Sequence, residues 1–118
     1  YFRKYLSITH EMPVSFEEYG SKALDAFDIL KSHDVGIGVN TSGYRHGIGD
    51  LYPIKGFLQA AREAGIDTTV VGSDCHTVGD LGRNTLRAAQ RLKKEGYTHI
   101  SVFEGRKSRR ISLSEVMR

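Results

Sequence analysis

Thr68-Thr69-Val70-Val71-Gly72-Ser73-Asp74-Cys75-His76 is the stretch that organises the reading of this chain. Four β-branched residues in succession favour a buried strand, and Gly72-Ser73 ends it. Beyond the strand, Asp74 and His76 stand two residues apart, so in an extended segment they project to the same side. A carboxylate and an imidazole presented together could reach one metal ion or two adjacent ones. Oxygen and nitrogen donors of this kind suit Zn²⁺, Mn²⁺ or Fe. Gly72 is expected to let the backbone turn closely, and Ser73 to orient a ligand by a hydrogen bond. The pattern alone leaves a plainer alternative open, in which Asp74 caps a turn and His76 is a loop residue. Cys75 reads as a small buried filler, since a nucleophilic role would need a base and a lowered pKa.

Working outward, the apolar spacing gives helices and strands in alternation. Phe16, Tyr19, Ala23, Phe27 and Leu30 predict a helix over 16–32, opened by a Ser15-x-x-Glu18 capping box. Val35 to Val39 reads as a short buried strand ended by Asn40-Thr41-Ser42-Gly43, with a glycine-rich loop to Gly49. Pro53 opens a second helix with Ile54, Phe57, Leu58 and Ala61 inward and Gly65 at its end. A third helix is expected from Leu81 to Glu95, with Leu81, Thr85, Ala88, Ala89 and Leu92 inward, and a third strand from Thr98 to Phe103. Strand–helix alternation implies a parallel βαβαβ sheet with flanking helices. Right-handed crossovers then place the strand C-termini at one edge. Asn40 to Gly47, Gly72 to His76 and Glu104 to Lys107 would meet there, where α/β folds keep their sites.

Composition narrows the function classes. The chain has 118 residues, 39% of them hydrophobic and 26% charged, which suits one domain with a modest core. No apolar run approaches the roughly 20 residues of a membrane span, and no signal-peptide core is visible near the start. The one cysteine excludes an internal disulfide and fits a reducing, cytoplasmic setting. The net charge of +3 is concentrated around Arg106, Lys107, Arg109 and Arg110, so residues 106–118 read as a basic, solvated C-terminal tail. Such a cluster could meet phosphate, RNA or acidic lipid, but no base-stacking aromatic pattern accompanies it.

A second group of candidate residues lies in Asn40-Thr41-Ser42-Gly43-Tyr44-Arg45. An amide, two hydroxyls, backbone N–H groups around a glycine and a guanidinium suit an anion such as phosphate. An ordinary turn with a surface arginine fits the same residues. His46 falls at the same sheet edge and joins the candidates. His10, His33 and His99 fall in an irregular stretch, at a helix end and within a strand. Asp74 and His76 alone are too few ligands for a catalytic metal site.

Three ordered segments resemble the histidinol-phosphatase branch of the polymerase-and-histidinol-phosphatase (PHP) family. They are Val39-Asn40-Thr41-Ser42-Gly43-Tyr44-Arg45, Leu51-Tyr52-Pro53, and the run from Val71 to Gly82 that contains Gly-Ser-Asp-Cys-His. The run from Glu95 to Lys107 completes the match, which covers about residues 16–107. The resemblance implies that the chain is the C-terminal portion of a PHP domain, part of a distorted seven-stranded (β/α)7 barrel. It implies two or three divalent metal ions and a small phosphomonoester substrate such as L-histidinol phosphate. It places Asp74 and His76 in the family's last metal-binding motif. It gives Arg45 to the substrate phosphate, and Asn40, Ser42 and His46 fall beside it.

The family's upstream ligands have no counterpart here, and Gly38 stands where an acidic residue is often found. Tyr1 rather than Met stands first, and the chain is read as a fragment without its N-terminal half. Alone, it is expected to lack phosphatase activity and to self-associate through exposed sheet edges. The alternative is a non-catalytic oligomerising or nucleic-acid-associated domain derived from the same fold.

Overall fold

The computed structural model describes residues 16–118. Ser15 of the expected capping box and His10 lie outside the described residues. Helix α1 (Phe16–Ser32) takes the predicted span, with acidic Glu17 and Glu18 in its first turn and Lys31 in its last, as the helix dipole favours. Strand β1 (Ile37–Asn40) leads into a tight 3₁₀ turn (Thr41–Tyr44). Helix α2 (Lys55–Glu63) starts two residues after Pro53, not at it, with Ile54 in the cap position in an extended conformation. Strand β2 (Thr69–Gly72), a 3₁₀ turn (Val78–Asp80) and helix α3 (Thr85–Lys94) follow. The third helix is therefore four residues shorter at its start than the apolar spacing suggests. Leu81 is largely exposed, while Ala88, Ala89 and Leu92 are buried as expected.

Strands β1 and β2 pair in parallel, Ile37 opposite Thr69 through Asn40 opposite Gly72. Paired residues share a face, so Ile37, Val39, Thr69 and Val71 point one way and Gly38 and Val70 the other. The first face is covered. Val39 packs with Leu51, Leu58, Ala88, Ala89, Leu92, Tyr97 and Leu113, with Ile37 and Val71 against that cluster. A second cluster joins α1 to α2 through Phe27, Ala60, Ala61 and Ile66. Phe16 meets Phe57 edge to face there, with ring centroids 5.2 Å apart. Among the described residues nothing covers most of the opposite sheet face. It forms an open groove lined by Gly36, Gly38, Thr68, Val70 and an exposed Phe103.

The expected run of three parallel strands is corrected at its last member. Strand β3 (His99–Glu104) lies beside β2 without sharing a ladder with it, and pairs antiparallel with strand β4 (Lys107–Ser112). The two-residue connection Gly105-Arg106 has φ of 54° and 65°. Positive φ at both central residues is the backbone of the hairpin turn whose twist matches its strands. The stretch read as a solvated tail is thus the second arm of a hairpin, continued by a short helix α4 (Leu113–Val116). Leu113 anchors it, buried in the main cluster and donating its N–H to the Thr98 carbonyl at 2.9 Å. The architecture is mixed α/β, a small parallel sheet with flanking helices plus a hairpin, and no barrel closes among the described residues.

Candidate functional site

Asn40 and Gly72 end the two parallel strands side by side, which brings the two candidate segments together. In the first segment the polar groups mostly serve the turn itself. The Asn40 side chain accepts a hydrogen bond from the Ser42 N–H at 2.8 Å and caps the 3₁₀ turn. Ser42 is buried within it. Gly43 is needed for close approach, since a Cβ there would collide with the Asp50 carbonyl. Thr41 reaches outward, its hydroxyl donating to the Arg83 carbonyl at 2.6 Å.

Arg45 is the link to the second segment. Its Nη2 donates to the carbonyls of Ser73 at 2.9 Å and Asp74 at 3.1 Å. Its Nε lies 3.6 Å from the Asp80 carboxylate, an ion pair too long to be a hydrogen bond. Its buried Nη1 has no partner among the described residues. The guanidinium expected to face phosphate therefore also clamps the turn that carries Asp74 and His76.

That turn is unusual at Asp74, which has φ of 50°. The left-handed region disfavours residues with a Cβ, though aspartate tolerates it better than most. Gly72, expected to supply the freedom, has open space around it and no positive φ. The special conformation sits two residues later, on the candidate ligand itself. Asp74 Oδ1 and His76 Nε2 are 3.5 Å apart, with the histidine largely exposed. Two donors on one tetrahedral ion at about 2.1 Å each are separated by roughly 3.4 Å, so this spacing fits a shared divalent cation. Among the described residues no set of three His, Cys, Asp or Glu side chains converges on one point.

The remaining candidates divide. Ser73 Oγ accepts from the Gly82 N–H at 3.2 Å and closes the loop 73–82 on itself. His46 sits against Tyr52, with ring centroids 6.4 Å apart, and its backbone N–H donates to Ser42. His33 and His99 engage Ile29 and Thr98. Cys75 is exposed, not a buried filler. Asp80 was not singled out by sequence, although Thr77, Asp80 and Arg83 stand at three-residue spacing around it. Its Oδ1 accepts from Arg83 at 3.0 Å, and its Oδ2 faces Arg45 and the Thr77 hydroxyl. The Arg83 hydrogen bond, aided by the Arg45 charge and Thr77, holds the Asp80 carboxyl below the usual carboxylate range against the opposing effect of burial.

With this geometry in view, comparison with known proteins gives one informative likeness. A probable histidinol-phosphatase of Deinococcus radiodurans is 32% identical over 74 residues. The match covers 63% of this chain and 28% of that protein. It supports a distant histidinol-phosphatase-like relationship. The chain thus spans little more than a quarter of that relative's length. No protein-family model matches the sequence. Among the described residues no helix is long and apolar enough to cross a membrane.

Proposed function

We propose that this chain forms part of the active-site edge of a metal-dependent phosphomonoesterase of the PHP kind, with a histidinol-phosphate-like substrate. The observation that carries the reading is the clamped turn at 73–76, which sets Asp74 and His76 donors 3.5 Å apart beside an arginine. The distant likeness to a probable histidinol-phosphatase points the same way.

Asp74 and His76 would hold one divalent cation. A bound cation of this type lowers the pKa of water and neutralises charge on phosphoryl oxygens. Arg45 fixes the ligand turn and lends positive charge to the same edge. Asn40 keeps the neighbouring turn folded so that Arg45 and His46 leave it in fixed directions. Two protein ligands do not complete a catalytic site, so this reading calls for further ligands besides Asp74 and His76. Parallel sheets are almost always covered on both sides, and among the described residues one face of this sheet is open. The isolated chain is accordingly expected to self-associate through that face. Sedimentation of wild type against Phe103→Glu tests it; a monodisperse wild-type monomer would contradict it.

The test of function is hydrolysis of L-histidinol phosphate by the full gene product in Mn²⁺. Metal-stimulated turnover that disappears in Asp74→Ala supports the proposal. A well-folded product that binds no metal would instead favour a non-catalytic descendant of the fold.

A further inference from the structure

Asp80 lies six residues after Asp74, in a different turn, yet it is the carboxylate paired with Arg45 among the described residues. Arg45 is poorly exposed, at 14% of its side-chain surface, so water solvates little of its charge. What solvates it is a pair of carbonyls on one side and Asp80 on the other. Asp80 is itself fixed from three directions, by Arg45, Arg83 and Thr77. Ser73 Oγ on the Gly82 N–H and Thr41 on the Arg83 carbonyl tie the same loop at both ends.

We propose that Asp80 is a positioning residue that, through Arg45, holds the Ser73–Asp74 turn in the left-handed conformation aiming Asp74 and His76 at a common point. Without the Asp80 charge, a mostly buried guanidinium already lacking a partner at Nη1 gains more by turning to water than by keeping two neutral carbonyls. Releasing those carbonyls removes what holds Asp74 at its φ of 50°. The two donors then lose their fixed spacing. In its metal-binding arm the inference rests on the reading of Asp74 and His76 as ligands.

The experiment compares wild type, Asp80→Asn, Asp80→Glu, Arg45→Lys and Arg83→Ala in the full gene product. Two quantities are read: metal-free ¹⁵N–¹H exchange at the Gly82 amide and the Arg45 Nε–H, and Mn²⁺ affinity. Asp80→Asn and Arg45→Lys are expected to speed Gly82 exchange by about tenfold, as a local opening does, with unfolding midpoints showing the rest of the fold intact. Mn²⁺ affinity is expected to fall about tenfold or more, the usual cost of losing a group that orients a ligand. Asp80→Glu should recover most of both, and Arg83→Ala, which removes one of the three groups fixing Asp80 but leaves its pair with Arg45, should have a smaller effect on each. The inference is overturned if Asp80→Asn leaves exchange and affinity at wild-type values, or if Arg83→Ala loosens Gly82 or weakens Mn²⁺ binding more than Asp80→Asn does. If the loop loosens in Asp80→Asn while wild type binds no Mn²⁺, the positioning role stands and the metal reading fails.

Discussion

Thr41 and Thr69 are both wholly buried, and replacing each by valine should move stability in opposite directions. Valine matches threonine in shape, so each substitution exchanges a hydroxyl for a methyl with little change in packing volume. Thr69 Oγ1 has no hydrogen-bond partner among the described residues. A buried hydroxyl without a partner costs about 1–3 kcal/mol on protein mutational scales. Thr69→Val removes that cost inside a strand that favours valine, and a gain of about 1–2 kcal/mol is expected. Thr41 Oγ1 instead donates to the Arg83 carbonyl at 2.6 Å. Thr41→Val deletes that bond and leaves a carbonyl short of its donor, a loss of about 1–2 kcal/mol. The difference between the variants, about 2–4 kcal/mol, exceeds the uncertainty of urea unfolding by linear extrapolation. Equilibrium unfolding of both variants at one protein concentration is the assay. Equal destabilisation would refute the reasoning, since it would mean that shape and not hydrogen bonding governs both sites.

Other consequences follow from the same accounting of burial and partners. Arg91 bridges Asp50 at 3.4 Å and Glu95 at 3.0 Å, and the Glu95 side chain is only 7% exposed, so Arg91→Ala should cost about 2–3 kcal/mol in urea unfolding. Arg110 pairs with Asp67 at 3.6 Å with both side chains 55% exposed, so Arg110→Ala should change stability by less than about 0.5 kcal/mol. Burial pushes the Tyr97 hydroxyl up to about 12 from the ordinary 10.0, so its folded form holds the proton longer than its unfolded form. That contribution to stability is complete below pH 10 and is lost as pH rises through about 12. Ultraviolet titration should show one tyrosine ionising last, and Tyr97→Phe should remove that step. Gly43→Ala should destabilise by more than about 2 kcal/mol because its Cβ meets the Asp50 backbone, whereas Gly72→Ala, facing open space, should be tolerated in thermal melts.

The parallel βαβ unit was legible because its signals are local: β-branched residues at 68–71 and apolar spacing in 54–61 and 85–92 each fix an element alone. The hairpin was hidden by charge. Along β4, Lys107, Arg109 and Ile111 alternate with Ser108, Arg110 and Ser112, and basic residues on both faces resemble a solvated tail. Gly105 in Glu104-Gly105-Arg106-Lys107 was the available turn signal. In the candidate site, Asp74 and His76 could be paired from their spacing within one segment, and the structure sets their side chains 3.5 Å apart. The partners of Arg45 could not, because they lie 28 to 35 residues away in sequence and depend on how two loops dock. Gly43 shows the same limit: its presence suggested an anion-binding turn, and its structural reason is an approaching backbone at Asp50.

The central claim is that Asp74 and His76 hold a cation used in phosphoester hydrolysis. Turnover of L-histidinol phosphate by the Mn²⁺-loaded full gene product, measured for wild type, Asp74→Ala and His76→Ala, tests it most directly. Metal-dependent release of phosphate that is lost in both variants is the predicted result. Phosphate release unchanged by either substitution, or none at all from folded, Mn²⁺-loaded wild type, would contradict it.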